Sequence, residues 1–307
     1  MYKIIITTIL VLTLSSCASN EILPKNQENN ISYKKQFNSI WNIIKSDPYD
    51  KLPQYKISYS SLEKDKNNTI FDDAKRTLNS KEDILPYFNK LVHPNGICLK
   101  GTWSITKENN YSGYFKKGST ALIIARASSA LSNTKKAQIR TFGFAGKLFA
   151  TTNPNEVVNQ TANFFLIDDL GGTKELYYTN TQLTNAPKVS FNFEVLKNIF
   201  YALKIKNAFE KADKNPNIRQ IYEISELDEN KKINTPKFMK IKASKIFNKE
   251  ENDFRDELKI RNKNLIFDIY VSNDKKSWQK IGVINFDQSI TSISCDHRLH
   301  FSHPKYK

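Results

Sequence analysis

The chain has 307 residues, enough for one large domain, and 47 basic against 31 acidic residues give it a formal net charge of +16. A basic balance of this size attracts anionic lipid or nucleic acid. The lysines are scattered among asparagines, however, and no run of five Lys or Arg residues or nucleic-acid-binding motif accompanies the charge. We therefore exclude a nucleic-acid partner and interpret the charge as a solvated surface with a secondary attraction to membranes.

The N-terminus predicts an exported lipoprotein. Residues 1–16 carry one positive charge, Lys3, and an apolar run over Ile4–Leu14, far shorter than the ~20 residues needed to span a bilayer. The sequence LSSC at Leu14–Cys17 fits a bacterial lipobox, in which a lipid is attached to the thiol of Cys17. The alternative is an ordinary signal peptide with a chance cysteine. Acyl chains, at ~0.8 kcal/mol for each buried methylene group, make a stable anchor.

These features divide the chain into three segments. Residues 1–16 are predicted to be the signal peptide, residues 17–35 a lipidated cysteine with a flexible polar tether, and residues 36–307 one folded domain. Ala18 follows the cysteine, whereas an aspartate there tends to retain lipoproteins at the inner membrane. We therefore expect a lipid-anchored, periplasm-facing protein of the bacterial cell envelope, held in the outer membrane.

The remaining elements predict an α+β chain. In chain order the patterns indicate a short helix, a helical stretch, four strands, a longer helix and a final series of strands. This order favours a large antiparallel β-barrel of about eight strands with peripheral helices packed outside it. The predicted ranges are Phe37–Ile44 and Asp72–Leu91 (helical), Ile97–Ile105, Ala121–Ala127, Ile139–Ala150 and Ala162–Ile167 (strands), Phe191–Phe209 (helix), and Gln220–Ser225, Phe238–Phe247, Leu265–Ser272, Lys280–Phe286 and Ser289–Phe301 (strands).

Polar side chains stand inside or beside several of these apolar runs. His93 comes just before the first strand, and Arg126 and Ser128 interrupt the second. Gln160 precedes the fourth strand, which contains Phe164. Burying a charge or an amide without a partner costs several kcal/mol. These groups are therefore predicted to pair with one another or to face a ligand.

In this order and at these spacings, four short motifs resemble the core of the catalase family. They are HPNG at His93–Gly96, ARAS at Ala125–Ser128, GFAGKLF at Gly143–Phe149 and VNQTANFF at Val158–Phe165. The similarity extends over about Tyr87–Pro304, ending in a segment that resembles the end of the family's barrel. The resemblance implies a catalase-like barrel domain that binds haem and acts on peroxide or an organic hydroperoxide as an oxidoreductase of peroxidase type.

The resemblance also assigns roles to particular residues. His93 corresponds to the distal histidine that moves a proton between the two oxygens of peroxide, a task suited to imidazole. Ser128 corresponds to the serine that fixes the tautomer of that histidine, and Gln160 stands where the family has its distal asparagine. Arg126 and Lys90 correspond to partners of the haem propionates. His93, Arg126 and Ser128 are expected inside the barrel, in one pocket next to Phe164.

Three departures from the family pattern keep other functions open. Gln160 replaces the asparagine, Lys90 replaces an arginine and lacks its planar fork, and Tyr306 follows the end of the barrel too closely to serve as the axial tyrosinate. One alternative is a non-enzymatic envelope lipoprotein whose barrel binds an apolar ligand, haem or a protein partner, and another is haem capture without turnover. Without haem, Arg126 must be neutralised by a carboxylate or by carbonyl groups.

Cysteines and C-terminal histidines complete the candidate residues. Beyond Cys17, the chain has only Cys98 and Cys295, and an even pair in an exported protein is a disulfide candidate. The resemblance places them on the first and last barrel strands, which adjoin each other; two buried free thiols are the alternative. The histidines at positions 297, 300 and 303 would alternate between the faces of an extended segment, which favours a polar, exposed terminus over a metal site or an iron ligand.

Overall fold

The computed structural model describes residues 25–49, 80–88, 90, 93, 95–129, 142–151, 161–168, 220–223, 234–244 and 253–301. Within these ranges no helix is both long enough and apolar enough to cross a membrane. The elements in chain order are α1 (Lys25–Ile44), β1 (Gly96–Ile105), a 3-10 helix (Gly113–Phe115), β2 (Thr120–Ser129), β3 (Phe142–Ala150), β4 (Thr161–Asp168), β5 (Gln220–Glu223), β6 (Phe238–Ala243), α2 (Phe254–Leu258), β7 (Leu265–Ser272), β8 (Gln279–Ile290) and α3 (Ile293–His297).

The strands form one antiparallel sheet in which each strand pairs with the next along the chain. The strand β1 pairs with both β2 and β8, so the strand order returns to its starting point. Strand pairing is least extensive at the four-residue β5, which pairs with β4 only through Ile167↔Ile221 and Asp168↔Gln220. The molecule is thus mainly a strongly curled sheet of seven longer strands, which β5 bridges. The prediction of a β-rich chain built on a large antiparallel sheet is confirmed.

Aromatic side chains fill the concave side of this sheet. The ring of Phe144 lies 5.6 Å from that of Phe267 and 6.1 Å from that of Phe286, and Trp103 lies 6.1 Å from Phe164. All five residues belong to one buried apolar cluster drawn from β1, β3, β4, β7 and β8. Since burying an apolar side chain contributes about 1.5–3 kcal/mol, this interior is the main source of stability.

The convex side of β1–β3 is covered by α1. Phe37, Ile40, Trp41 and Ile44 recur at helical spacing and are all buried, because this spacing places them on one face of the helix. They pack in a second cluster with outward residues of the sheet, and the ring of Phe37 meets that of Phe149 edge-on at 5.4 Å. A covering layer therefore stands over the outer face of the first three strands.

Three predicted elements differ in the structure. The helix α1 begins at Lys25, so part of the predicted tether is helical. Residues 80–88 are not helical, because their backbone bonds the C-terminal segment: Leu85 donates to the Arg298 carbonyl at 2.9 Å. The predicted final strand over Ser289–Phe301 is wrong beyond Ile290, since the short helix α3 follows it. The predicted helix over 191–209 lies outside the described residues.

The short helix α3 depends on a distant aspartate. Asp47, which follows α1, accepts hydrogen bonds from the backbone N–H of Ser294 at 2.9 Å and from its hydroxyl at 2.7 Å. Ser292 caps the same turn by accepting from the N–H of Cys295 at 3.0 Å. Capping of this kind satisfies amides that a helix start leaves unpaired. The contact with Asp47 is made 247 positions away in sequence, so local alternation could not reveal it.

Candidate functional site

Arg126 and Ser128 lie on the convex face of the sheet, not in its interior. Their neighbours Ala125 and Ala127 belong to the interior cluster, while Ile124 packs with the covering layer of α1. Because side chains alternate along a strand, Arg126 and Ser128 share the outward face with Ile124. Phe164 belongs to the interior cluster. The prediction that these polar residues lie inside the barrel next to Phe164 is therefore wrong.

The structure nevertheless brings His93 and Ser128 together. The Ser128 hydroxyl oxygen lies 3.2 Å from Nδ1 of His93. The imidazole stands directly over Gly143, where an added Cβ atom would lie 2.6 Å from the His93 Cε1 atom. His93 has a positive φ of 59°, a backbone region that residues other than glycine rarely adopt. Strained backbone of this type persists where surrounding contacts hold it, here those to Ser128 and Gly143.

The hydrogen bonds of Ser128 define the tautomer of His93. The hydroxyl donates to the carbonyl oxygen of Gly143 at 3.2 Å. A serine hydroxyl has a single proton, so its contact with the imidazole requires His93 to donate from Nδ1. The basic nitrogen of the neutral ring is then Nε2. This is the arrangement of a positioned general base, with Ser128 as the residue that orients it.

We expect Ser128→Ala to change the tautomer of His93 without unfolding the protein, because the variant removes the acceptor of the Nδ1 proton. Nitrogen-15 NMR of the histidine rings should show Nδ1 protonated in the wild type and a shift toward Nε2 protonation in the variant. Thr102→Ala, an exposed position on the neighbouring β1, is the control and should leave the His93 signals unchanged. Identical His93 tautomers in wild type and Ser128→Ala would contradict the assignment.

Arg126 is neutralised by the chain itself. Its Nη2 atom donates to Oδ1 of Asp296 at 2.6 Å and to the carbonyl oxygen of His93 at 3.0 Å. The arginine is 5% exposed and the aspartate 0%. Tyr49 donates its hydroxyl to the other oxygen of Asp296 at 3.3 Å. The carboxylate and carbonyl that Arg126 needs in the absence of haem are thus both present.

Lys90 lies in the same electrostatic environment. Burial lowers its pKa well below the usual range, and the Arg126 guanidinium lowers it further, while Asp296 acts in the opposite direction. Its ammonium nitrogen stands 5.3 Å from the centre of the Phe88 ring. The two cations that the catalase resemblance assigns to propionates are therefore neighbours. Arg126 contacts the Asp296 carboxylate at 2.6 Å, and the charges of both groups act on the pKa of Lys90.

A disulfide joins Cys98 to Cys295 beside this ion pair. The Cα atoms are 5.8 Å apart, within the range that a bridge requires. The resemblance implied that Cys295 would lie on the last strand, but it lies on α3. Cys98 is directly opposite Arg126 in the register of β1 and β2, and Cys295 adjoins Asp296 in sequence. The disulfide and the ion pair are therefore adjacent links between the sheet and the C-terminal segment.

The C-terminal histidines that the structure describes serve as backbone partners. His297 is buried, donates from Nδ1 to the Phe88 carbonyl at 3.1 Å, and stacks on Tyr87 with 4.7 Å between ring centres. The predicted exposed terminus is therefore wrong at His297. His300 donates to the Glu82 carbonyl at 2.9 Å. Among the described residues no group of three or more His, Cys, Asp or Glu side chains could hold a metal ion, and His303 lies outside them.

The environment of His297 predicts a loss of stability in mild acid. Burial is the main cause that lowers the pKa of His297, and the positive charges of Lys90 and Arg126 lower it further. The hydrogen bond to the Phe88 carbonyl and the charge of Asp296 raise it, but by less. The unfolded chain, with a histidine pKa of about 6.5, then binds the proton first. Stability is fully present above that pH and falls as the pH drops below it. Urea unfolding at pH 7.5 and 5.5 should show a smaller pH effect for His297→Gln than for the wild type.

The matched control for this effect is His300→Gln, since His300 makes the same type of backbone hydrogen bond in a more exposed position. It should retain the wild-type loss of stability between the two pH values. Equal pH dependence in His297→Gln and the wild type would contradict the role of His297.

The described residues do not fit a haem site of catalase type. Arg126, the expected propionate partner, is held by Asp296, and Phe164, the expected neighbour of the haem pocket, is on the other side of the sheet. Gln160 and Cys17 lie outside the described residues. Sequence reasoning missed Asp296 as the anion that Arg126 requires. The sequence indicated only that a buried Arg126 needs an anion. Nothing in it singled out one carboxylate among 31 acidic residues.

No protein-family model matches the chain, and no curated protein is significantly similar to it. Neither comparison links the chain to the catalase family, so the resemblance stays a prediction from the four short motifs.

Proposed function

We propose that the chain is a lipid-anchored protein of the bacterial envelope whose curled β-sheet domain is a non-enzymatic binding module. One observation carries this proposal: the arginine that would bind a haem propionate in a catalase-like site is already neutralised by Asp296 of the same chain. Both side chains are buried, and exchanging one anion for another would leave a carboxylate without its cation. The aromatic filling of the described interior also supports binding at a surface over binding of an apolar ligand within the sheet.

A second candidate is a haem-binding peroxidase-type oxidoreductase that acts on peroxide or an organic hydroperoxide. The observation in its favour is the pair of His93 and Ser128, in which a serine holds the imidazole with Nε2 as the basic nitrogen. This pair alone supplies a proton acceptor. It identifies neither the axial ligand nor the group that would hold the propionates.

Titration with haemin separates the two candidates. Under the non-enzymatic proposal, purified protein should show no saturable one-to-one Soret band, and any weak absorbance should be the same in His93→Ala, because the imidazole that Ser128 holds would not bind the iron. Hydrogen peroxide consumption should equal that of free haemin. A one-to-one band that His93→Ala abolishes, together with peroxide turnover, would overturn the proposal in favour of the second candidate.

The anchor is tested separately by the fate of the precursor. Cys17→Ser should remain unprocessed by lipoprotein signal peptidase and should lose incorporation of labelled fatty acid, because the acyl group needs the thiol. Ser16→Ala, which changes the adjacent residue and leaves the thiol, should be processed and labelled. Normal lipid labelling of Cys17→Ser would refute the lipid anchor.

A further inference from the structure

A compact group of lysine and aromatic side chains lies on the opposite part of the sheet from the covering layer of α1. It is formed by β6, by β7 and by the turn from β7 to β8. The turn residues Lys275 and Lys276 are exposed, as is Lys237, which directly precedes β6. We call this group the basic–aromatic patch; it consists of Lys237, Phe238, Lys240, Tyr270, Lys275, Lys276 and Trp278.

The ammonium groups of the patch are held against its rings. The Nζ atom of Lys240 stands 4.1 Å from the centre of the Trp278 ring and 5.6 Å from that of Tyr270, its partner in the register of β6 and β7. The Nζ atom of Lys275 stands 4.8 Å from the centre of the Phe238 ring. Cation–π contacts of this kind keep positive charge and apolar surface side by side.

The turn that presents these side chains is built by Asp274. Its Oδ1 atom accepts hydrogen bonds from the backbone N–H groups of Lys276 and Ser277, each at 2.8 Å. These bonds are the main reason why the pKa of Asp274 is lowered. The Trp278 indole donates to the Lys275 carbonyl at 3.0 Å. The lysines and the indole are therefore displayed in a defined arrangement.

The charge of the patch is positive. Its four lysines and the aspartate of the turn sum to +3 (4 − 1). The neighbouring Asp268 does not reduce this value, because Lys280 pairs with it at 2.7 Å. A surface of this sign, carrying an indole and a phenol, combines the two attractions that operate at an anionic membrane surface: charge for the headgroups and half-buried rings for the interface.

We propose that the basic–aromatic patch binds an anionic phospholipid surface. This inference deepens the proposed function by naming the ligand class of the binding module. A nucleic acid would need open ring faces on which its bases could stack. Here ammonium groups stand over the rings of Trp278 and Phe238, whereas lysines that lie along rings can still reach lipid phosphates from the interface.

Vesicle co-sedimentation tests the proposal with the mature chain from Ala18 onward, so that neither an acyl chain nor the apolar run Ile4–Leu14 contributes. Vesicles of phosphatidylcholine with phosphatidylglycerol are compared with phosphatidylcholine alone. Each lysine near an anionic surface strengthens binding by ~5-fold, so Lys237→Gln/Lys276→Gln should weaken it by ~30-fold on the anionic vesicles. Both side chains are exposed, and the substitutions leave the backbone bonds of the turn in place.

The matched control is Lys34→Gln/Lys35→Gln on the exposed side of α1, which removes the same charge elsewhere. It should bind like the parent. An equal loss in both variants would overturn the proposal, because it would mean that diffuse net charge is responsible. Equal binding to phosphatidylcholine alone would overturn it too, as would tighter binding of a single-stranded oligonucleotide that the patch variant abolishes.

Tryptophan fluorescence gives an independent signal. The chain has three tryptophans, and Trp41 and Trp103 are 4% and 0% exposed, whereas Trp278 is half-buried. Binding of anionic vesicles should shift the emission to shorter wavelength and protect it from acrylamide, and Trp278→Phe should abolish both effects. Vesicle binding without a response from Trp278 would overturn the assignment to this patch. A failure here leaves the haemin result unaffected, so the two proposals fail separately.

Discussion

Asp296→Ala is expected to lower the free energy of unfolding by about 3–5 kcal/mol, the usual effect of removing one partner of a buried ion pair. The carboxylate is fully buried and bonds the Arg126 guanidinium at 2.6 Å. Its loss leaves the buried guanidinium without its carboxylate, bonded to the His93 carbonyl at 3.0 Å. Urea unfolding of the wild type and the variant measures the change.

A double-mutant cycle makes this prediction specific. Arg126→Met/Asp296→Ala should be less destabilising than the sum of the single variants, because it removes the uncompensated charge along with its partner. The partly exposed pair of Lys280 and Asp268 is the control, since Lys280→Ala there should cost less than about 1 kcal/mol. Strictly additive effects of the two substitutions in the buried pair would contradict a coupled ion pair.

Removal of the disulfide is expected to destabilise the protein by up to ~5 kcal/mol, because the bridge restricts the unfolded chain over a long loop. Cys98 and Cys295 are 197 positions apart. Cys98→Ala/Cys295→Ala should therefore lower the urea midpoint strongly. Reduction of the wild-type protein should produce most of the same change, whereas reduction of the double variant should change nothing.

The neighbourhood of the bridge adds a second expectation. Because Cys295 adjoins Asp296, the loss of the disulfide should weaken the ion pair, and the two substitutions should not be additive. Unfolding midpoints that are equal with and without the bridge, or two free thiols in denatured, unreduced protein, would contradict the predicted crosslink.

Much of the site could be predicted from the order of its residues. The resemblance to the catalase motifs implied that His93 would meet Ser128, and the two side chains lie 3.2 Å apart. The need of a buried guanidinium for an anion was also evident. The identity of that anion could not be predicted, because Asp296 is 170 positions away from Arg126 in sequence and only the fold brings the two together.

The side of the sheet on which the site lies was beyond sequence reasoning. In β2 both faces are largely buried, one by the interior cluster and one by α1, so its run of apolar residues shows no alternation between inside and outside. A polar residue in such a strand shows which residues share its face of the sheet. It does not show whether that face is the concave or the convex one. The curl of the sheet and the position of the covering helix decide that.

The sequence by itself determined the strands, because their side-chain period and their β-branched and aromatic residues are local properties; β7 matches its predicted range, Leu265–Ser272. It also determined the apolar stripe of α1 over Phe37–Ile44. Only the tertiary structure decided the conformation of the C-terminal segment, the partner of Arg126 and the outward position of the site. Each of these depends on hydrogen bonds and ion pairs between residues far apart in the chain, whose free energy becomes available only after the sheet has formed.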